Sequence, residues 1–183
     1  MLSVRSAQQN SERKRTLATG SARRLGPIRR APSFEGRAPA SDVSSRSKRA
    51  NRNADTTPEM LLRRELSRLG LLYRANVDTL PGKPDIMFDD ARILVFCDGD
   101  FWHGRHWPRL KRALACRANA SYWIAKIEYN RTRDARTRRY LRRQGWLVVR
   151  LWESDIRTNP AATAESLKMT IDKLRPKSRV RAH

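Results

Sequence analysis

The chain is poor in cysteine, in acidic residues and in long apolar runs, and each shortage excludes a class of protein. Two cysteines in 183 residues cannot form a disulfide framework, so we expect a reducing compartment, the cytoplasm. No stretch approaches the roughly 18 uncharged apolar residues of a membrane-spanning helix. No apolar run follows the basic first residues, so we expect neither a secretory signal nor a membrane partner. Only 18 acidic residues stand against 40 Lys and Arg, and this formal charge of +22 predicts a polyanionic partner, most simply nucleic acid.

The positive charge falls into two parts with different meanings. Residues 1–54 hold 13 Lys and Arg against 3 Asp and Glu, among Ser, Ala and Pro without any apolar period. Such a segment cannot bury enough surface to offset its ordering entropy, so we predict a disordered basic tail. Three interpretations of this tail stay open: an arm that binds DNA or RNA, a solvated tail without a partner, and an extension from a misassigned start codon. Residues 176–183 are predicted to form a second basic tail.

Residues 55–175 alternate helical and strand patterns and are predicted to form one α/β domain. Thr57 is the expected cap of a first helix that ends at Gly70, and Asp89-Asp90 is the turn of a hairpin. Residues 107–119 are basic and are predicted to be irregular. The remaining predicted elements are strands at 85–88, 92–97 and 146–152, a helix at about 121–143, and a last helix from Asn159-Pro160 with Leu167, Ile171 and Leu174 on one stripe.

The densest cluster of chemically active residues follows the second strand of the hairpin. Asp98 and Asp100 come directly after an apolar run, and Asp85 opens the neighbouring strand. A tight turn joins the two strands, so the start of one lies beside the end of the other, and Asp85 is expected near Asp98. Carboxylates brought together in this way suit Mg²⁺, whereas the alternative is that they are exposed turn acids.

The long predicted helix carries polar residues on its inward stripe. Trp123, Ile127, Asn130 and Asp134 fall at i, i+4, i+7 and i+11, on one face of the helix. Buried polar groups need partners, and Asp134 is a candidate acceptor for His103 that would fix its tautomer. Asp134 is otherwise a structural acid or the partner of one of the arginines.

Three aromatic residues stand beside these polar groups. Phe101 and Trp102 are adjacent, so they cannot both point into a core. Apolar wedges between base steps are a known way to unstack DNA. Core packing is the alternative for Trp123.

At these residues the sequence resembles the very-short-patch repair (Vsr) mismatch endonucleases, a branch of the restriction-endonuclease-like PD-(D/E)xK superfamily. The matching pieces run in family order over roughly residues 45–158. They are DTTPE at 55–59, LPGKPD at 80–85, FWHG at 101–104, YWIAKI at 122–127 with Asn130, Arg133 and Asp134, and GW to WE at 145–153. The resemblance implies a central mixed β-sheet flanked by helices.

The resemblance also implies an activity, a Mg²⁺-dependent nick 5′ to the thymine of a T·G mismatch in double-stranded DNA, made by a monomer with one or two ions. The resemblance implies Asp85 and the backbone carbonyl of Cys97 as metal ligands, and the hairpin geometry adds Asp98 as a third candidate. His103 and Asp134 resemble the pair at the attacking water. Glu59 resembles a glutamate that holds metal-bound water, or else it is a first-turn acid facing the helix dipole. The implied DNA contacts are Phe101, Trp102, Trp123 and Asn130.

Two departures from the family pattern bear on these implications. The family usually has a histidine where this chain has Asp98. The family's structural zinc is held by cysteines and a histidine, and the matching positions here are Asp100, Arg105, Trp107 and Ser154. The spacing of Cys97, Cys116 and His106 fits no zinc pattern, so we expect no zinc. The region at 105–119 must then be held by packing.

These expectations give a hypothesis and two rivals. The hypothesis is hydrolysis of one phosphodiester bond by a metal-activated water that His103 deprotonates. One rival is a nuclease of the same fold with another specificity, linked to restriction or defence. The other is a non-catalytic basic DNA-binding protein.

Overall fold

The computed structural model describes residues 30–36 and 54–175. The tails predicted at 1–54 and 176–183 therefore lie outside the described residues, except for the short segment at 30–36 and Ala54. In the described part of the chain, no helix is both long enough and apolar enough to cross a membrane.

Within the described residues, four strands form one mixed sheet, and five helices lie around its two faces, as the predicted α/β class requires. The sheet order is β1-β2-β3-β4, with the first three strands antiparallel and β3 parallel to β4. The crossover between β3 and β4 contains α3, the longest helix in the described part of the chain. The elements are α1 (Thr57–Arg68), β1 (Arg74–Ala75), β2 (Ile86–Phe88), β3 (Ile93–Asp98), α2 (Trp107–Ala115), α3 (Ala120–Arg143), β4 (Leu147–Trp152), α4 (Glu153–Thr158) and α5 (Pro160–Leu174).

The alternation of side chains along β3 places a core on each face of the sheet. Ile93 and Val95 pack on one face with the buried residues of α1, α4 and α5. Leu94 packs on the other face with Leu141 of α3 and Val148 of β4. The crossover therefore fixes α3 against the end of β3, where Asp98 stands.

Three local predictions were wrong. The region predicted to be irregular contains helix α2. Its inward stripe is Trp107, Leu110 and Leu114, at i, i+3 and i+7, and Leu114 is buried. Thr56 rather than Thr57 is the cap of α1. Leu174 ends α5 but is exposed, because the last turn extends beyond the core.

Candidate active site

Four side chains from three elements and one loop form a closed polar set at the end of β3, which we call the His–Asp network. Asp98 is buried, with 4% of its surface exposed, although it carries a charge. Arg150, on the neighbouring strand β4, donates from Nε to Asp98 Oδ2, and its Nη2 lies 3.4 Å from Asp134 Oδ2. His103 Nδ1 lies 2.5 Å from Asp134 Oδ2 and 3.4 Å from Asp98 Oδ1. The network thus alternates two carboxylates with a guanidinium and an imidazole.

The geometry of His103 fits it to act as a base. Because Nδ1 faces two carboxylates, it carries the proton and donates to Asp134, so the lone pair of the neutral ring lies on Nε2. Burial favours protonated Asp134, but the hydrogen bond from His103 and the charges of His103 and Arg133 hold the pKa of this carboxyl below its usual value of 3.8. Asp134 therefore stays ionised and orients the ring.

Asp85 forms a second acidic centre with its own partners. Its Oδ2 accepts a hydrogen bond of 2.7 Å from the backbone N–H of Cys97. Burial, together with the charges of Glu59 and Asp98, raises the pKa of Asp85 to about 7 despite that bond. The carboxylates of Asp85 and Asp98 thus interact, but they are held by different groups.

The Cys97 side chain packs against the core on the α1 side of the sheet. Burial raises the pKa of its thiol, so the thiol stays neutral. Only the backbone of this residue is therefore suited to a role in binding a cation.

Glu59 is almost fully buried in the first turn of α1. Its carboxylate accepts from the backbone N–H of Asp55 at 2.9 Å and from Thr56 Oγ1 at 2.7 Å, and it pairs with Arg63 Nη2 at 3.2 Å. The pattern Thr-x-x-Glu at 56–59 has the spacing of a capping box, but Thr56 donates to Glu59 here, so the carboxylate holds the residues that lead into the helix. Glu59 also lines the cleft, so this structural role is compatible with a role at the site.

The three predicted DNA-contacting aromatics form one aromatic cluster with two further rings. Phe101 lies 5.2 Å from Trp102 and 5.6 Å from Trp123, between ring centroids. Phe34, from the segment at 30–36, contacts Tyr122 edge-to-face at 4.8 Å. Phe101, Trp102 and Trp123 all remain half-buried, so part of each ring is open to a ligand.

Asn130 holds the turn that presents these rings. It is 7% exposed, and its amide donates to the carbonyl oxygen of Trp102 at 2.9 Å. Its direct contact with DNA stays a prediction, since the observed bond serves to position Trp102.

A cleft of about 1030 Å³ joins the acids to the aromatic cluster. Its walls include residues of the His–Asp network, the second acidic centre and the aromatic cluster, namely Glu59, Asp85, Asp98, Phe101, Trp102 and His103. Among the described residues, the group with metal-ligating atoms within 4.8 Å of one another is Asp98, His103 and Asp134, and Asp85 stands outside it.

Three of the four positions expected in place of a zinc set, Asp100, Arg105 and Ser154, are joined through Arg105. Arg105 donates to Ser154 Oγ and pairs with Asp155 at 2.8 Å and with Asp100 at 3.7 Å. It thereby ties the loop after β3 to α4. The absence of zinc stays a prediction, and Arg105 supplies a link that does not require a metal.

Sequence reasoning missed Arg150 as a member of the site. A signal was present, because a single charged residue interrupts the apolar run of β4, and a charge inside a sheet must find a partner. Phe34 was also missed, and its isolated position in a polar segment gave no periodic signal.

Comparison with known proteins places these features in a family. The family model described as DNA mismatch endonuclease Vsr matches residues 40–109. The chain is 35% identical over 128 residues to the DNA mismatch endonuclease Vsr of Escherichia coli K12, covering 69% of this chain and 80% of that protein. It is 41% identical over 113 residues to the type II nicking enzyme V.HpaIIP of Haemophilus parainfluenzae, covering 62% and 79%. With the type II nicking enzyme V.NmeDIP of Neisseria meningitidis serogroup C it shares 38% over 122 residues, covering 67% and 81%.

Proposed function

The chain belongs to the Vsr family of DNA mismatch endonucleases and is therefore a DNA endonuclease, and from this premise we propose that it nicks one strand of duplex DNA beside a T·G mismatch. The observation that carries the proposal is the contact of His103 Nδ1 with Asp134 Oδ2 at 2.5 Å, on a cleft that also holds Asp85 and the aromatic cluster. We further propose that the chain acts on DNA as a monomer in the cytoplasm.

In the proposed reaction, His103 is the general base. Its Nε2 removes a proton from a water molecule while the Nδ1–H stays bonded to Asp134, which stabilises the imidazolium that forms. The water oxygen forms a bond to the phosphorus, the bond from phosphorus to the leaving oxygen breaks, and that oxygen takes a proton from solvent. Asp134 positions the base and remains ionised throughout.

The residues around Asp85 suit a divalent cation such as Mg²⁺, as one or two ions. The donors available are hard oxygens, the Asp85 carboxylate and the Cys97 carbonyl. Burial and the charges of Glu59 and Asp98 raise the pKa of Asp85 more than the Cys97 N–H and Arg63 lower it, so a bound cation would stabilise the ionised carboxylate. When bound, Mg²⁺ would polarise the phosphate and stabilise the leaving oxygen.

Asp98 was expected to be a metal ligand as well. Its observed partners are Arg150 and His103, so we propose that its main role is to orient the imidazole. Mg²⁺ would then be held chiefly at Asp85.

The aromatic cluster supports recognition of a distorted duplex. Phe101, Trp102 and Trp123 are half-buried and contiguous, and rings of this kind can insert between base steps and lower the cost of opening a mismatched pair. We propose that a T·G pair is selected because it unstacks more easily than a paired step.

A second candidate function is a nuclease of the same fold with another specificity. Two relatives at 38% and 41% identity are named type II nicking enzymes, and the site departs from the family pattern at Asp98 and Arg105. This candidate keeps the same chemistry and changes only which duplex is cut.

The test is a nicking assay with an end-labelled duplex that contains one T·G pair, a fully paired duplex and the single strand, each with Mg²⁺ or with EDTA. We expect the T·G duplex to be nicked about 100-fold faster than the paired one, and only with Mg²⁺. Equal rates on both duplexes would favour the second candidate. Binding without cleavage, or cleavage unaffected by EDTA or by Asp85→Ala, would contradict the proposed mechanism.

A further inference from the structure

A second chamber opens beside the cleft, behind His103, and we call it the side chamber. Its volume is about 430 Å³, and it shares the walls formed by Gly82, Lys83 and His103 with the cleft. Four cationic side chains line it, together with the two carboxylates of the His–Asp network. The cations are Lys83, Arg133, Arg138 and Arg150.

The two carboxylates already have cationic partners. Arg150 contacts both Asp98 and Asp134, and Arg133 Nη2 lies 3.0 Å from Asp134 Oδ1. Among the residues that the structure describes, the side chains of Lys83 and Arg138 form no hydrogen bond and no ion pair. The chamber therefore has two cations in excess of its acids.

The environment of Arg138 is unfavourable for a lone cation. The residue is half-buried. Burial and the charges of Arg150 and Arg142 lower the pKa of its guanidinium, and the charges of Asp134 and Asp98 raise it only in part. A bound anion would remove this cost. The planar fork of a guanidinium fits two oxygens of a phosphate group.

Arg138 also joins the side chamber to a groove on the outside of α3. That groove has a volume of about 470 Å³, and its described lining is Arg138, Arg139, Arg142 and Arg143 with Ala135. A continuous series of positive charges thus leads away from the cleft along the helix. Its direction suits a polyanionic chain better than a single small anion.

We propose that the side chamber binds a non-scissile phosphate of the DNA backbone through Arg138, with Lys83 at its opening, and that the arginines of the α3 groove contact phosphates further along the same strand. Arg138 would hold the strand in register without taking part in bond breaking. This inference rests on the proposed function only in requiring that DNA occupies the cleft.

Binding measured in EDTA tests the site independently of cleavage. Full-length wild-type protein and Arg138→Gln are titrated with the T·G duplex over a series of salt concentrations. We expect Arg138→Gln to bind about tenfold more weakly and to reduce the slope of log K against log salt by about 0.9, the value for one lost phosphate contact. The matched control is Lys173→Gln on α5, an exposed cation on the opposite face of the sheet, for which we expect no comparable change.

Neutral methylphosphonate linkages then identify the phosphate. Each linkage near the nick is replaced in turn, and we expect one non-scissile position where the replacement weakens wild-type binding about tenfold but scarcely affects Arg138→Gln. Arg138→Lys, which keeps the charge but loses the fork, should show an intermediate loss, and it replaces Arg138→Gln if that variant does not fold. Loss at the same linkages in all variants, or an unchanged salt slope, would overturn the site. Absence of nicking with this binding pattern intact would instead contradict the proposed function alone.

Discussion

Arg150 donates from Nε to Asp98, and the same guanidinium lies within 3.4 Å of Asp134, so one cation spans two acids that both face His103. Asp98 is 5% exposed at its side chain and Arg150 18%, and a buried carboxylate is tolerated only when it is paired. Arg150 therefore accounts for the acid that stands where the family resemblance implies a histidine. The charge of Asp98 on β3 and the charge of Arg150 on β4 therefore compensate each other at this end of the sheet.

Arg150→Met should leave Asp98 as an unpaired buried charge. We expect the free energy of unfolding to fall by about 3–5 kcal/mol, as for other broken buried pairs. Asp98→Asn in the same chain removes that charge, so the double variant should recover at least about 1 kcal/mol. Urea unfolding of the four proteins of the cycle measures this coupling. Additive effects would mean that Arg150 and Asp98 act independently.

Asp134→Asn tests the role of the acid that orients His103. An amide can present its NH₂ to Nδ1 and so favour the wrong tautomer, and we expect kcat to fall by about 10²–10⁴-fold with little change in KM. Single-turnover nicking at saturating enzyme gives the rate. Asp172→Asn, which breaks an exposed pair with Lys168 on α5, is the control and should keep the wild-type rate. A parallel loss in both variants would point to a general effect of charge.

The raised pKa of Asp85 predicts a stability that falls with pH in the absence of metal. Its pKa is 3.8 in the unfolded reference and about 7 in the folded chain, so between these values the folded state holds a proton that the unfolded state has lost. The free energy of unfolding therefore falls progressively between about pH 4 and pH 7. Above pH 7 the total loss due to Asp85 is constant, at most about 4 kcal/mol.

Asp85→Asn removes this cost, so the variant should be more stable than wild type at pH 8 and equally stable near pH 4. Thermal unfolding in EDTA across this range gives the difference, with exposed Asp90→Asn as the control. Mg²⁺ should raise the melting temperature of wild type at pH 8 and leave that of Asp85→Asn unchanged. A variant less stable than wild type at pH 8 would contradict the cost assigned to the buried carboxylate.

Arg105 should do the structural work that the family assigns to zinc. The full-length protein is expected to hold no stoichiometric zinc by elemental analysis, and EDTA without Mg²⁺ should not lower its melting temperature. Arg105→Met should lower it, because the loop after β3 loses its links to Ser154 and Asp155. One zinc per chain would overturn this prediction.

Most of the fold could be predicted from the sequence because its elements are periodic and clearly bounded. Helix α1 ends at Arg68, two residues before Gly70, after a regular series of leucines, and the apolar runs of β3 and β4 have strand length. Helix α2 could not be predicted, since its three inward residues lie among basic ones and the helix depends on packing against its neighbours. Lys111 pairs with Glu128 across to α3 at 2.7 Å, a contact that no local pattern reveals.

The site was predictable to the extent that its residues follow strand ends. Helical spacing made Asp134 a candidate partner of His103, since a polar residue on an inward stripe needs a partner, and the family resemblance implied the pair. The separation of Asp85 and Asp98 into two centres depends on Arg150, which the parallel register places opposite Phe96, two residues before its partner Asp98. That register is a tertiary property.

Gly104 follows His103 in a left-handed conformation with φ of +67°. A Cβ built there would lie 2.9 Å from Ile127 Cγ2 and 3.0 Å from Arg131 Cδ, so alanine meets both backbone strain and a steric clash with a fully buried side chain. Gly70 separates the two effects, since its φ is +68° and nothing lies within 4 Å of a Cβ at that position.

We expect Gly70→Ala to cost about 1 kcal/mol from backbone strain alone and Gly104→Ala about 2–4 kcal/mol. Because α3 carries both Ile127 and Asp134, displacing Ile127 should also move the acid relative to His103 and slow nicking, whereas Gly70→Ala should keep the wild-type rate. Urea unfolding and single-turnover rates of the two variants measure both effects. If Gly104→Ala and Gly70→Ala lost the same stability, the contact of the new Cβ with Ile127 would cost nothing, and backbone strain alone would explain both losses.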